Sequence, residues 1–573
     1  MSAETKRSSE VKRPRGRQRR PIVWTGDSEA VEPAGRREIF PFFALGIILS
    51  FYALLVCYRK GYLLLYGDAV AHLAIARRIV DAHYPGIAQL GGVWLPLPHV
   101  LMLPFIGNMT MWQTGLAAAP MSMLSFAFSV TGIWRLARRM MRMRWALVAT
   151  AFYALNANLL FLATTAMTEA LFLALFVWVV VATMEGIAAF RAGKAALAKG
   201  QMIFAGLFVF AMVFTRYDGW IVGAAVWACF AWALWKSETE WKRNLLPWFL
   251  AFTAVCVAGP LLWFWYNAHF AGDWLDFMRG PYSAAAIDRK TSPAGRHYRE
   301  WHNPWRALYF YTRCAQVDAS AWETGWVVMA SALYGLWMSW TRRAVAAVKG
   351  RGEVFGLLLW IPLPFYLYSV AYGSVPIFIP QLYPHSYYNA RYGMEMLPAL
   401  AVYGALAGER LELWLRDQPG WLKLAANAWQ PAAAVLCVAN LIAMTYFIPL
   451  VLKEGEVNAT TRVSFEHSIA MVMENFPADA PVMMALSAHV GAVQSAGRTL
   501  KSMVSENDSQ SFNKALADPA HNAAFVIAID GDPVAQAVKE HPQGLIELEV
   551  ICTSGQACAK IYQSDVWKAG TTP

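Results

Sequence analysis

The chain has 573 residues, of which 57% are hydrophobic and only 15% charged; its formal net charge is +11 and it contains 26 tryptophans. Soluble domains carry about 25% charged residues, so this composition excludes an ordinary water-soluble protein. The basic balance does not mark a nucleic-acid binder either, because Lys and Arg gather in short loops between apolar segments.

Residues 1–38 are polar, with Arg13, Arg15, Arg17, Arg19 and Arg20 close together. They read as a disordered basic cytoplasmic tail able to touch anionic lipid. A membrane-spanning helix needs about 20 mostly apolar residues. Eleven stretches are candidates: 39–57, 113–136, 145–162, 168–188, 201–215, 219–236, 246–267, 322–340, 353–371, 392–410 and 430–451. With the tail inside, the inside loops hold Arg135, Arg138, Arg139, Arg142 and Arg144; then Arg191, Lys194 and Lys199; then Lys236, Lys242 and Arg243; then Arg342, Arg343, Lys349 and Arg351; then Arg410, Arg416 and Lys423. Every one of these loops is basic, as the positive-inside rule expects. Counting the Pro-rich segment 97–108 as a further span would throw the arginines at 135–144 outside. That segment is therefore expected on the membrane surface, as an interfacial helix or re-entrant piece.

The same topology gathers an unusual set of residues on the outer face. The first outer loop, 58–112, carries Gly67-Asp68-Ala69-Val70-Ala71-His72. If a helix begins there, Asp68 and His72 are four apart and share one face. Asp68 is equally suited to cap that helix or to sit in its first turn. The outer face also collects Glu169 at the end of Thr164–Glu169, Arg216 and Asp218 in Thr215–Trp220, the long loop 268–320, and Tyr387-Tyr388-Asn389-Ala390-Arg391-Tyr392. An aromatic belt with snorkelling arginines would give any one of these singly.

After the last span the chain becomes more polar. Pro481–Leu486, Phe525–Asp530, Leu545–Ile551 and Ala559–Tyr562 read as strands, with helices over His489–Ala496 and from Pro533 to Glu540. Residues 458–573 are thus expected to form a small α/β domain on the outer side. The domain has no P-loop, GxGxxG or GxSxG motif. Seven cysteines are scattered without a CxxC pair. Cys552 and Cys558, the two in this last part, can form a disulfide in an oxidising compartment.

Gly67-Asp68, WLPLPHVLMLPF at 94–105, MTEALF at 167–172 and NARYGMEMLP at 389–398 occur in this order along residues 39–451. In that order and topology they resemble membrane glycosyltransferases of the GT-C type, the relatives of protein O-mannosyltransferases and of lipid A aminoarabinose transferases. The resemblance implies a polytopic α-helical GT-C-like fold of about 11 transmembrane helices in the cell (inner) membrane. It implies a polyprenyl-phosphate-linked sugar as donor and a lipid, glycan or protein hydroxyl as acceptor. An acid in the first outer loop then acts as general base or orients the acceptor, and Asp68 matches it. Many relatives have two adjacent acids there. Here Ala69 follows Asp68, which leaves the second role open between His72 and Glu169. A polyprenyl phosphate is an anionic leaving group, and the guanidinium fork fits its oxygens. Arg216 and Arg391, with His385 and Tyr388 as further donors, are expected at the donor phosphate. No cofactor is certain; a divalent metal is possible, with Asp68, His72, Glu169 and Asp218 as candidate ligands whose spacing is not specific. The alternative is a multi-pass transporter or flippase for a lipid-linked or anionic substrate, which would show repeated halves and midplane charges.

Overall fold

The computed structural model describes residues 35–292, 295, 297–340 and 353–567. Nearly all of the basic tail, and Arg342, Arg343, Lys349 and Arg351 of one basic loop, lie outside the described residues. Eight stretches among the described residues are long and apolar enough to cross a membrane: Arg37–Arg59, Leu116–Met140, Glu169–Arg191, Ala195–Val213, Asp218–Trp235, Lys242–Phe270, Val354–Tyr372 and Trp421–Met473. Glu169–Arg191 is apolar on every side and lies at the centre, with 89% of its apolar window buried; Arg37–Arg59, with 11%, turns its apolar surface outward. Small residues let these helices approach closely. A Cβ on Gly132 would stand 2.7 Å from Val177, and one on Gly46 would stand 2.6 Å from the Ala127 backbone.

Three expected spans take another form. The stretch 145–162 is two helices, Met143–Ala154 and Ala157–Leu162, separated at Asn156. The Asn156 side chain caps the second helix through the Leu159 amide (3.0 Å) and donates to the Asp318 carbonyl at 2.8 Å. The stretch 322–340 is a 17-residue helix, Thr324–Trp340. The stretch 392–410 opens with a 3-10 segment, Ala390–Met396, and continues as the helix Leu397–Arg416. Glu409, Arg410, Glu412 and Arg416 crowd the far half of that helix, so its apolar run is short. The Pro-rich segment is a ten-residue helix, Leu97–Ile106. It lies against the helix Gly67–Arg78, where Arg77 Nη1 donates to the Ile106 and Gly107 carbonyls at 2.8 Å each.

The helix ends sort into two groups. At one end Arg135 pairs with Glu185 at 2.6 Å, Arg138 with Glu38 at 3.6 Å, and the Arg142 amide donates to Glu409 at 2.8 Å. The described cations of the basic loops therefore share an end with the start of the first long helix. Asp68, Glu169, Arg216 and Arg391 meet at the other end.

The helix Leu450–Met473 leads from that second end into a five-stranded sheet: β1 Val482–Met484, β2 Met503–Val504, β3 Phe525–Ile529, β4 Leu545–Ile551 and β5 Ala559–Ser564. The order is β2-β1-β3-β5-β4, with β1 parallel to β2 and β3, and β5 antiparallel to β3 and β4. Strand β2 is two residues long, too short to leave a periodic signal. Phe465, Ile469 and Met473 of the long helix are buried in one core with Ile527 and Ile561 of the sheet. Cys552 and Cys558 form a disulfide between β4 and β5. The sheet region also docks on the Asp68 loop: Gln494 Nε2 donates to the Trp112 carbonyl at 2.5 Å, and Arg462 Nη2 to the Leu64 carbonyl at 3.0 Å.

Candidate active site

The helix Gly67–Arg78 starts after Tyr66, and no side chain caps it. Asp68 stands in its first turn with its carboxylate directed away from the helix amides. Asp68 Oδ2 accepts from Arg391 Nη2 at 2.5 Å. Local backbone chemistry aims Arg391. Asn389 has φ 55°, a left-handed conformation that Asn tolerates, and its Nδ2 donates to the Pro376 carbonyl at 2.9 Å. The chain then enters the Ala390–Met396 turn. There a Cβ on Gly393 would lie 2.7 Å from the Ala315 backbone, so only glycine lets the turn seat this deeply.

From that turn Arg391 reaches three carboxylates. Besides Asp68, its Nε donates to Glu169 Oε1 at 3.0 Å, and Nη1 lies 3.7 Å from Glu454 Oε1. Glu169 is fully buried as the first residue of Glu169–Arg191, a helix end that favours an anion. It also pairs with Arg216 Nη1 at 3.0 Å. Arg216 is enclosed further by Asp218 at 3.2 Å, Glu395 at 3.0 Å, the Thr168 hydroxyl at 3.1 Å and the Tyr366 hydroxyl at 2.8 Å. Tyr366 donates to Glu395 at 2.7 Å, and Tyr66 to Glu454 at 2.9 Å. Asp68, Glu169, Asp218, Glu395 and Glu454 thus surround two guanidiniums, Arg216 and Arg391. Exposure separates them. The Asp68 side chain is 40% exposed, whereas those of Glu169 and Glu395 are fully buried and Arg391 is 8% exposed. Asp68 is the mouth of the cluster.

His72 faces a different partner. It is buried, shares a 2.8 Å hydrogen bond between its Nδ1 and His99 Nε2, and packs beside Trp94. Burial pushes the His72 imidazole down to about 4, and His99 is also held well below its ordinary range by burial. The pair is neutral at physiological pH. Tyr388 forms an isolated bridge with Phe378, and burial, with the Asp68 charge nearby, pushes its phenol up. His385 is exposed and bonds the Pro380 carbonyl at 2.9 Å; the structure does not bring it into the cluster.

Glu395, Glu454, Tyr66, Tyr366 and His99 complete the site without having stood out in the sequence. Glu395 lies inside NARYGMEMLP, and Glu454 comes just after an apolar stretch, with Lys453 between, where an acid is costly and therefore informative. Tyr366 sits in an apolar run that offers no signal. Among the described residues, no three His, Cys, Asp or Glu are placed to share a metal ion. Asp68, Glu169 and Asp218 each engage an arginine, and His72 engages His99.

This helical assembly, with a buried ionic cluster at one end and a small sheet beside it, has the GT-C-like fold of the solved structures it matches. No family model and no curated protein matches this chain. Among solved structures it is similar to ArnT from Cupriavidus metallidurans. The crystal structure bound to undecaprenyl phosphate gives a TM-score of 0.56 at 13% identity, covering 92% of this chain and 98% of that one. The apo structure gives 0.55 at 12% identity, covering 91% and 97%. At such identity the likeness is one of fold.

Proposed function

We propose that this protein is a glycosyltransferase that moves a sugar from a polyprenyl-phosphate donor to an acceptor hydroxyl. We place the reaction at the outer face of the cell (inner) membrane, with the N-terminus and basic loops in the cytoplasm and the sheet region outside. The basic helix ends support this orientation through the positive-inside rule. A fold shared with a protein that has been crystallised with undecaprenyl phosphate supports the donor class.

The observation that carries the reading is the Asp68–Arg391–Glu169 chain. It links a half-exposed carboxylate to a buried one through a single guanidinium. Asp68 is the general base: it accepts the proton of the acceptor hydroxyl as that oxygen bonds to the sugar carbon and the carbon–phosphate-oxygen bond breaks. Negative charge grows on the departing phosphate. As Asp68 takes up its proton, Arg391 loses part of its countercharge, and its positive charge becomes available to that phosphate. Tyr388, beside Asp68, adds a donor at the opening, and His385 lies on the same loop. Arg216, closed in by Glu169, Asp218 and Glu395, fixes Glu169 and through it Arg391. The neutral His72–His99 pair holds the Asp68 helix against Leu97–Ile106.

Binding of undecaprenyl phosphate to the purified full-length protein tests the donor class and the role of Arg391. Saturable binding is expected. Arg391→Lys keeps the charge but loses the fork, and should weaken binding roughly tenfold or more. Equal affinity in the two proteins would remove Arg391 from the phosphate site.

A further inference from the structure

The enclosed arginines on the Asp68 side of the molecule are mostly held by a carboxylate, or by several carbonyls, as a rule. Arg77 pairs with Asp81 at 2.8 Å, Arg462 with Glu466 at 2.6 Å, Arg391 and Arg216 with the central acids, and Arg498 donates to four backbone carbonyls. Arg78 departs from it. It is the last residue of the Gly67–Arg78 helix, and its Nη1 donates to Asn507 Oδ1 in the sheet region. Its Nε is buried with no hydrogen-bond partner, and no described carboxylate stands within ion-pairing distance. A guanidinium N–H shut away from water without an acceptor costs free energy.

Arg78 lines a small cleft between the Asp68 loop and the sheet region that opens to solvent. His83 and Gln89 stand on one wall, Ser505 and Asn507 on the other. Glu506 attracts Arg78 through space and Asp508 belongs to the cleft lining, but both carboxylates are engaged by other donors. Glu506 accepts from the Leu486 and Ser487 amides at 2.9 and 2.5 Å, and Asp508 accepts from the Ser511 hydroxyl at 2.7 Å. Burial lowers the Arg78 guanidinium from its ordinary range, against the opposing pull of the Glu506 charge.

We propose that this cleft is an oxyanion site, separate from the Asp68–Arg391 cluster, that takes a phosphoryl group. The Arg78 guanidinium meets its oxygens. The Ser505 hydroxyl, which accepts from Asn507 Nδ2 at 3.4 Å and so can donate its own proton, faces one of them. Asp68 and Arg78 are ten residues apart on one helix, about 15 Å along its axis. A phosphoryl group at Arg78 is therefore not the one undergoing chemistry at Asp68. It belongs either to a free phosphorylated solute or to a lipid headgroup.

Thermal unfolding of the purified full-length protein distinguishes these sources. One arm adds inorganic phosphate, with chloride at matched ionic strength as control. The other compares bilayer discs of phosphatidic acid with discs of phosphatidylcholine. Phosphate in one or both forms is expected to raise the wild-type midpoint; Arg78→Gln should abolish that shift, and Arg78→Lys should weaken the binding about tenfold. A response to phosphatidic acid alone assigns the site to a headgroup, and a response to inorganic phosphate assigns it to a solute. Equal responses in wild type and the Arg78 variants, or none in wild type to either form, overturn the proposal.

Discussion

Glu169 joins the two guanidiniums of the cluster, with Oε1 at 3.0 Å from both Arg216 and Arg391. Removing one partner of a buried ion pair leaves an uncompensated charge and costs about 3–5 kcal/mol. Glu169→Ala is therefore expected to lower unfolding stability by about that amount in detergent. Asp68→Ala, at a side chain that is 40% exposed, should cost far less. Comparable losses would show that Asp68 is structural. Glu300 offers a second handle, in the loop ahead of Pro304–Ala319. Both its oxygens are buried without a partner, and burial pushes its carboxyl up to about 7. Because the folded value is raised, the native state holds the proton. The stabilising contribution is full below the unfolded value near 4.5 and is lost as pH rises through about 7. Glu300→Gln, neutral throughout, should flatten the fall in unfolding midpoint between about pH 5 and pH 8. An unchanged slope would place the pH dependence elsewhere. Asp68, Glu169, Arg216 and Arg391 were legible in sequence because each charged residue flanks an apolar stretch. Their pairing was not: Glu169 and Arg391 are 222 residues apart, and Glu395, Glu454 and Tyr366 become meaningful only once the helices pack.

Among elements, the long apolar helices were legible because composition alone fixes them in a lipid solvent. Elements whose ends are decided by side chains were not. Asn156 splits one apolar stretch because its amide serves a helix cap and the Asp318 carbonyl together, a bond across 162 residues of chain. The Ala390–Met396 turn replaces the opening of another expected span, and it is this turn that delivers Arg391. Alternation revealed strands β1, β3, β4 and β5, while β2 depends on pairing with β1 through Val482 and Met503. The surface placement of the Pro-rich run came from charge bookkeeping across the loops, and its ten-residue helix is too short to span a bilayer.

At the scale of the molecule, the described cations of the basic loops and the ionic cluster occupy opposite helix ends, which makes orientation testable. With the basic ends in the cytoplasm, a single cysteine near Asp508 should react with a membrane-impermeant maleimide in intact cells, and one near Arg139 should not. The reverse pattern would turn the molecule over and put Asp68 on the cytoplasmic side. The central claim is that Asp68 is the base of a sugar transfer from a lipid phosphate. The most direct measurement is release of free polyprenyl phosphate from a sugar-labelled polyprenyl-phosphate donor, in native membranes carrying either the wild-type protein or Asp68→Asn. Asn keeps the size of the side chain and can still accept from Arg391, so folding and donor binding should persist while transfer falls by about 10²–10⁴-fold. Wild-type transfer in the Asp68→Asn protein would contradict the account.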